Sequence, residues 1–385
     1  MNVLMVTNDS EVLREGSAAY ILLLQQAKDV NRLMVVVMNG RGTKAPPRKV
    51  TDTLWMFPTN SWLPFLKIFN ALNIVRHEFF FRNHFQADMV VANDPTWAGL
   101  LGYLIALTYT RPLHIHMGYN PLTFSYARRS LPNALRSVFS LLMIRYAHTI
   151  TVVQEGTMRS ITHIYSSFVD HVTVIPRYIN IDAIQAQEPA ENVHAKYPQF
   201  RAIILVVSAL VSGQNVEVAI QSIKQLSEYY VHIGLLIVGD GPERGHLMRL
   251  AKNLGVAEQV VFERGREDLM SYFKTAYMLM MPALNDAFET TLEDAAAAGC
   301  PIVAANISIA PKIIQYGKNG YLCDPNVPSE FWAAAGNLIR NPATRTSIKQ
   351  NILASMQAYM AGDKDSHVHL YARAWESTIK ASREK

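Results

Sequence analysis

Cysteine, charge and long apolar runs are all scarce in this sequence. Only 2 of its 385 residues are cysteine. Because Cys300 and Cys323 match no disulfide or zinc-site spacing, we interpret them as core residues in a reducing compartment. Charged residues make up 17% of the chain against 50% hydrophobic residues, which excludes a disordered protein. The apolar stretch 97–109 is shorter than the roughly 20 residues that cross a membrane as a helix.

Two common signals are also missing near the first residues. The apolar stretch 3–6 is followed almost at once by Asp9, Glu11 and Glu15, unlike the longer apolar region of a secretory signal peptide. The turn that follows this apolar stretch does not have the pattern Gly-x-Gly-x-x-Gly. Its absence disfavours a dinucleotide site. We therefore predict a cytoplasmic protein whose first strand is 3–6.

Apolar runs of strand length alternate with helical segments along the whole chain, which predicts an α/β protein with two Rossmann-like domains. The polar, acidic stretch 181–198 separates the two halves and is interpreted as the domain boundary. We expect a first domain at 1–184, a second domain at 185–364 and a final helix at 365–385.

The positive charge lies in the first half of the chain. Up to Ile184 the sequence has 17 Lys and Arg against 11 Asp and Glu, whereas the remainder has 19 against 20. A basic domain can attract nucleic acid, an anionic membrane surface or a phosphate-bearing acceptor. Nothing beyond the charge favours nucleic acid, which we do not expect as a partner. The stretches 61–85 and 131–144 are interpreted as amphipathic helices on the sheet, with docking to a membrane surface or a lipid-linked acceptor as the alternative.

The most informative stretch, 282–301, lies between two predicted strands. Thr290 with Glu293 forms a capping-box pattern, and Gly299 before Pro301 is a typical helix end. These signals predict a helix over about 291–298. Its N-terminus would open towards the carboxyl end of the preceding strand, where open α/β sheets bind ligands.

Asp286 and Asp294 are two carboxylates of this stretch, and each can accept two hydrogen bonds from a vicinal diol. Their spacing resembles the Glu-x7-Glu motif of the group 1 (family 4) retaining glycosyltransferases. Phe288 matches the phenylalanine of that motif, whereas Glu289 replaces its glycine or proline. The resemblance covers nearly the whole chain and is strongest at 203–324.

The resemblance implies the GT-B fold, in which two Rossmann-like domains face a cleft and the C-terminal helix packs back on the first domain. The first domain would bind a glycan, lipid-linked or small-molecule acceptor, and the second a nucleotide diphosphate sugar. No cofactor and no metal ion are implied. The expected function is that of a retaining hexosyltransferase of polysaccharide biosynthesis, cytoplasmic or peripheral at the inner face of the membrane.

The resemblance also implies catalytic residues. His116, at the end of the predicted strand 113–116, and Asp286 would contact the donor sugar, and Asp294 would hold the ribose. A lone histidine is otherwise a structural residue, and that alternative stays open for His116. His114 lies two residues earlier on the same face of the strand and is interpreted as a satisfied core residue.

The donor diphosphate would lie at the N-terminus of the helix, beside Thr290 and Thr291, with Lys312 or Arg264 as a nearby cation. The complete donor-binding set implied by the resemblance is Gly16, Ala209, Gln214, Gly239, Arg264, Phe288, Glu289, Thr290, Thr291, Asp294 and Lys312.

Two members of this set lack a positive charge that the family carries. Ala209 and Gln214 stand where relatives have the arginine and lysine that clamp the diphosphate, and charge-assisted contacts contribute roughly 1.5–3 kcal/mol each. One reading is an active transferase with a rearranged clamp. A second is a catalytically impaired homologue that binds a nucleotide sugar or a partner. A third is a nucleotide-sugar epimerase on the same fold, against which the Asp286 and Asp294 motif argues.

Overall fold

The computed structural model describes residues 1–40, 44–61, 63–77, 85–127, 130–265, 268–285, 288–360 and 364–383. The chain forms two compact domains. The first consists of Met1–Arg177 with Gly362–Lys385, and the second of Tyr178–Ala361. Each domain has a single sheet with helices packed on it. The predicted α/β class with two Rossmann-like domains is therefore confirmed.

The first domain is built on an eight-stranded sheet. Its strands are β1 (Asn2–Thr7), β2 (Arg32–Val37), β3 (Arg48–Lys49), β4 (Leu54–Pro58), β5 (Met89–Ala92), β6 (Leu113–Met117), β7 (Thr149–Val152) and β8 (Val172–Val174). Their order is β3-β4-β2-β1-β5-β6-β7-β8, and among the described pairs only β3 with β4 is antiparallel. The helices are α1 (Ala18–Gln26), α2 (Pro64–Ile74), α3 (Trp97–Tyr109), α4 (Phe124–Ala127), α5 (Leu131–Arg145), α6 (Glu155–Ile164) and, near the C-terminus, α16 (Lys364–Ala381).

Local sequence signals place several of these elements. Ser17 caps α1, as its hydroxyl accepts a hydrogen bond from the backbone N–H of Tyr20 at 3.0 Å. β5 and α3 have the bounds expected from their apolar runs. The sequence analysis did not include β3 and β4. β4 pairs with β2, and its residues Leu54 and Met56 are fully buried.

The apolar helix α3 is a core element of this domain. It packs against β1 and β5, and its buried residues are Ala98, Gly99, Leu101, Gly102, Ile105 and Ala106. Within the described ranges, no helix combines the length and the apolarity needed to cross a membrane.

The C-terminal helix α16 packs on the sheet of the first domain, as expected. It contacts α1 and the strands β5, β6 and β7. Trp375 of α16 is 1% exposed and belongs to the same apolar cluster as Val3 and Met5 of β1 and Val91 of β5. About 180 residues of the second domain thus separate two segments that share one core.

The second domain contains a six-stranded parallel sheet. Its strands are β9 (Ala202–Val207), β10 (Ile233–Val238), β11 (Val260–Glu263), β12 (Met278–Met281), β13 (Ile302–Ala305) and β14 (Tyr321–Cys323). The order β11-β10-β9-β12-β13-β14 is the doubly wound Rossmann arrangement. The helices are α7 (Ile181–Ala186), α8 (Val193–Lys196), α9 (Val216–Ser227), α10 (Arg244–Asn253), α11 (Leu269–Thr275), α12 (Glu289–Ala297), α13 (Ala310–Ile313), α14 (Pro328–Arg340) and α15 (Pro342–Tyr359).

Helix α12 corrects one prediction and confirms another. It begins at Glu289, two residues earlier than expected, and its N-cap Phe288 makes no side-chain capping bond, so the predicted capping box at Thr290 was wrong. Phe288 is buried, and this packing sets the helix start. The end is as predicted. Gly299 has φ of +74°, and its N–H and that of Cys300 bond the carbonyls of the last turn at 3.0 and 2.9 Å.

Candidate functional site

Side-chain hydrogen bonds join two loops at the carboxyl edge of the second sheet. Gln214, between β9 and α9, accepts a bond from Ser208 Oγ at 2.9 Å and donates one to Asn285 Oδ1 at 3.3 Å. The carbonyl of Gly213 accepts from Asn285 Nδ2 at 3.3 Å and from the N–H of Leu284 at 2.9 Å. Gln214 is only 5% exposed. Its amide therefore fixes the loop after β12 against the loop after β9.

The turn after β10 packs against the same region so closely that it requires glycine. Gly239 has φ of +156°, and a Cβ there would lie 1.8 Å from the carbonyl oxygen of Ser208. A Cβ at Gly241 would lie 2.3 Å from the carbonyl oxygen of Leu210. The two glycines of the Gly-Asp-Gly turn are therefore needed because this turn contacts the backbone of the loop after β9.

The predicted cations of this edge lie on separate loops. Arg264 follows β11 and is 86% exposed, with its Nε 3.6 Å from Asp240 Oδ2. Lys312 lies in α13, after β13, and is also exposed. Ala209 is half-buried in the loop after β9, a strand that lies between β11 and β13 in the sheet. The position at which the resemblance implies an arginine is thus partly accessible and uncharged.

Helix α12 presents one polar face near its N-terminus. Of its nine residues, six are buried, and only Thr290, Thr291 and Asp294 are half-exposed. Their spacing of three and four residues places them on one side of the helix. The N-cap residue Phe288 makes no side-chain capping bond, and this face combines two hydroxyls and a carboxylate with a helix end that favours anions.

Glu289 starts α12 and is 2% exposed. Its carboxylate accepts a hydrogen bond from Ser308 Oγ, which follows β13 and has φ of +56°. A carboxylate in the first turn is favoured by the helix dipole. The same negative charge opposes an anionic ligand at this N-terminus.

The structure thus brings the predicted donor-binding residues other than Gly16 to the carboxyl edge of the second sheet, because each of them follows the carboxyl end of one of its parallel strands. Phe288 is 3% exposed and belongs to the core beneath α12. Gly16 lies in the other domain, after β1, where it is exposed with φ of +83°. Asp286 lies outside the described residues.

His116 lies in β6 of the first domain. Its Nδ1 is 3.0 Å from Thr151 Oγ1, and its ring meets Tyr371 of α16 edge-on at 5.6 Å between centroids. Burial lowers the pKa of His116 to about 4, so the imidazole is neutral at pH 7. His114 is completely buried, and its ring nitrogens lie 2.8, 2.9 and 3.2 Å from three threonine hydroxyls. The prediction that His114 is a satisfied core residue is confirmed.

A cavity of about 370 Å³ opens at the carboxyl edge of the first sheet. Its lining residues are Asn8, Met38, Lys67, Asp94, Thr96, Trp97, Tyr119 and Arg136. Asp94, after β5, accepts hydrogen bonds from the Tyr119 hydroxyl at 2.8 Å and from the N–H of Thr96 at 2.6 Å. Burial and the charge of Asp94 raise the pKa of Tyr119, so its hydroxyl stays protonated. Lys67 and Arg136 bring two positive charges to this cavity.

The second domain also matches a known family. Residues 190–354 fit the model described as glycosyl transferases group 1, a range that includes β9 to β14 and the polar face of α12. This domain belongs to the group 1 glycosyl transferases. The family resemblance inferred from the stretch 282–301 is confirmed.

Curated relatives of this glycosyl transferase domain match parts of the chain. The GDP-mannose-dependent alpha-(1-6)-phosphatidylinositol monomannoside mannosyltransferase of Mycolicibacterium smegmatis is 31% identical over 151 residues, which are 37% of this chain and 40% of that protein. A D-inositol 3-phosphate glycosyltransferase of Corynebacterium diphtheriae is 22% identical over 280 residues, 68% and 65% of the two chains. The matches thus span less than two thirds of either relative.

Solved glycosyltransferase structures match both domains. HepE of Anabaena in complex with UDP has a TM-score of 0.68 at 17% identity, with 98% of this chain and 100% of that chain covered. Sucrose-phosphate synthase of Thermosynechococcus elongatus has a TM-score of 0.67 at 14% identity, with 99% and 100% covered. At such identities the likeness concerns the fold, which is GT-B.

Sequence reasoning missed the cavity of the first domain. A signal was present, because Asp94 comes two residues after the apolar run 89–92 and Tyr119 comes three residues after the predicted strand 113–116. Polar residues behind neighbouring parallel strands meet at one edge of a sheet. Arg136 had no such signal, since its contribution depends on how α5 packs.

Proposed function

We propose that the protein transfers a hexose-type sugar from a nucleoside diphosphate sugar to an anionic acceptor, with retention of configuration. The observation that carries this proposal is the polar face of α12, formed by Thr290, Thr291 and Asp294 within a group 1 glycosyl transferase domain. The name of the mycobacterial relative includes both a nucleotide sugar, GDP-mannose, and a phosphatidylinositol monomannoside, which supports a nucleotide-sugar donor and an anionic acceptor here.

In this proposal Asp294 accepts hydrogen bonds from the ribose hydroxyls of the donor. Thr290 and Thr291 lie in the first turn of α12, where the helix end stabilises the charge that develops on the leaving diphosphate. Lys312 is an exposed cation in α13, after the strand β13 that pairs with β12, and it would supply positive charge that Ala209 and Gln214 lack. Arg264 follows the edge strand β11, three strands away from β12, and is the second candidate for this role. No metal ion has a role in this scheme.

His116 and Asp286 remain the candidates for contact with the transferred sugar. A neutral imidazole donates or accepts a hydrogen bond, which suits a sugar hydroxyl. The stereochemical outcome is tested by proton NMR of the product, because α- and β-anomeric protons have different couplings. With an α-linked donor, an α-linked product is expected. A β-linked product would overturn the retaining assignment.

The acceptor is assigned to the 370 Å³ cavity of the first domain. Lys67 and Arg136 would bind its anionic group, since guanidinium and ammonium groups are the usual partners of phosphate. Trp97 offers a ring face against which a sugar or cyclitol ring packs, and Asp94 with Tyr119 offers polar contacts to hydroxyls.

A peripheral membrane contact of the same domain is supported by the outer face of α5. Four apolar residues on this face are 47–76% exposed and lie three or four residues apart: Leu131, Leu135, Val138 and Leu142. The helix has no acidic residue, and it carries Arg136 and Arg145. An apolar stripe with flanking arginines is typical of helices that lie on anionic membranes.

This contact is tested by sedimentation with vesicles of phosphatidylglycerol and phosphatidylcholine. The wild type and a Val231→Glu control, altered at an exposed residue of the second domain, are expected to sediment with anionic vesicles. The Leu135→Glu/Val138→Glu variant is expected to stay in solution. Equal sedimentation of all three proteins would contradict the assignment.

The activity itself is tested by incubating the protein with UDP- and GDP-hexoses, with and without magnesium, and with inositol phosphate or phosphatidylinositol vesicles as acceptor. Transfer that is lost in Lys67→Gln/Arg136→Gln through a raised KM for the acceptor supports the proposal. Transfer that is unaffected by this double substitution would move the acceptor to another site.

Two observations favour the alternative of a catalytically impaired homologue. The carboxylate of Glu289 lies in the first turn of α12, and the amide of Gln214 is engaged within the protein by Ser208 and Asn285. Both features weaken a diphosphate site. Nucleotide binding without transfer or hydrolysis of any donor sugar would support that alternative.

A further inference from the structure

A second cavity lies at the opposite edge of the second sheet, where its strands begin. It has a volume of about 350 Å³ and is lined in part by Arg201, Tyr277 and Pro301, the residues just before β9, β12 and β13. Residues of α15 close another side. We call this cavity the basal pocket. Because the predicted donor-binding residues follow the carboxyl ends of the strands, the basal pocket is separate from them.

The lining of the basal pocket is strongly basic. It includes Arg201, Lys274, Arg345 and Lys349, as well as His194, and no Asp or Glu. In the part of the chain that the structure describes, none of the four cations forms an ion pair with a carboxylate. Like charges around one cavity repel each other unless an anion is present.

Arg345 is fixed in place but incompletely bonded. Its guanidinium lies over the ring of Tyr277, 3.9 Å from the centroid, which holds its orientation. Its Nε is buried and has no hydrogen-bond partner among the described residues. Buried N–H donors are nearly always bonded in folded proteins. Lys349 lies one helical turn further along α15, on the same side as Arg345.

The positive charges are not needed to cap α12, which ends beside the pocket. The carbonyl of Ala295 is bonded by the N–H of Cys300 at 2.9 Å, and that of Ala296 by the N–H of Gly299 at 3.0 Å. The carbonyl of Ala297 accepts from Gln185 Nε2 at 2.6 Å. The last turn of α12 is therefore already satisfied. Lys274 donates to the carbonyls of Gln185 and Gln187 at the end of α7, which leaves Arg201, Arg345 and Lys349 as the cations available to the pocket.

We propose that the basal pocket binds a small phosphorylated anion carrying two or more negative charges. The volume is that of a small-molecule site, and arginine and lysine side chains are the groups that bind phosphate oxygens. The site is independent of sugar transfer, so it stands or falls separately from the proposed function.

Calorimetric titration with pyrophosphate tests this site on the full chain. The pocket variant Arg345→Gln/Lys349→Gln is compared with Arg249→Gln/Lys252→Gln, which removes the same charge from the exposed surface of α10. Pyrophosphate is expected to bind the wild type and the control, and to bind the pocket variant about tenfold more weakly or worse. Equal affinity in all three proteins, or no binding to the wild type, would overturn the proposal.

Two further arms complete this test. Arg201→Gln, at an exposed position before β9, is expected to weaken pyrophosphate binding as well, and it gives a reading if the double variant does not fold. Sedimentation with phosphatidylglycerol vesicles separates a free phosphorylated ligand from a lipid surface. Vesicle binding that depends on Arg345 and Lys349, with no binding of pyrophosphate, would overturn the proposal in favour of a membrane contact.

Discussion

Replacement of Ala209 by arginine is expected to tighten nucleotide binding. Ala209 is half-buried in the loop after β9, and its carbonyl is held by the N–H of Val211 at 2.9 Å and by Ser208 Oγ at 3.0 Å. The backbone is therefore fixed before any side chain is added. A charge-assisted contact with the diphosphate contributes roughly 1.5–3 kcal/mol, so the Kd of UDP or GDP should fall by about tenfold to a hundredfold.

Unlike Ala209→Arg, the substitution Gln214→Lys is not expected to tighten nucleotide binding. Its amide bonds Ser208 and Asn285 and is 5% exposed, so a lysine there loses two hydrogen bonds and buries an ammonium group. We expect a lower Tm and no gain in nucleotide affinity. Calorimetry with Ala209→Arg, Gln214→Lys and the control Ala257→Arg, an exposed position before β11, makes the comparison. An unchanged Kd for Ala209→Arg, or the same gain in the control, would refute this reasoning.

Two predictions concern stability. Gly239→Ala forces a Cβ to within 1.8 Å of the Ser208 carbonyl oxygen and should lower the urea midpoint strongly. Gly245→Ala, in α10, places a Cβ at an ordinary contact distance of 3.6 Å from Arg249 Nη1 and should raise the midpoint slightly. Similar midpoints would contradict the close contact at Gly239. Burial, and then the charge of His116, lower the pKa of His114 to about 3. The unfolded chain therefore takes up this proton first below about pH 6.5, and the contribution of His114 to the free energy of unfolding should fall by about 2 kcal/mol by pH 5. The lowered pKa of His116 adds a separate fall over the same range. His114→Gln should remove that part of the pH dependence, and an unchanged pH profile in the variant would show that His114 is not its source.

The fold was largely predictable because its signals are local. The parallel strands are buried on both faces and therefore appear as continuous apolar runs, as in 89–92 and 233–238. Gly299 ended α12 as expected because its φ of +74° suits glycine. The start of α12 was misplaced by two residues, because the burial of Phe288 outweighed the capping pattern at Thr290.

The candidate site was predictable only in part. The strand order brings the predicted residues to one edge, and that order follows from the alternation of strands and helices. What a side chain does at that edge depends on its neighbours. The sequence did not indicate that Gln214 would be engaged by Ser208 and Asn285, or that Glu289 would be buried against Ser308. Asn285 lies 71 residues from Gln214, and Ser308 lies 19 residues from Glu289. These contacts therefore depend on tertiary packing and not on local sequence.

Asp294, on the polar face of α12, is proposed to bind a nucleoside diphosphate. Calorimetric titration of the wild type, Asp294→Ala and the exposed control Asp170→Ala with UDP and with GDP, in the absence of metal, tests this binding. We expect micromolar binding of one nucleotide to the wild type and the control, and its loss in Asp294→Ala. Unchanged affinity in Asp294→Ala, or no binding of either nucleotide to the wild type, would contradict it.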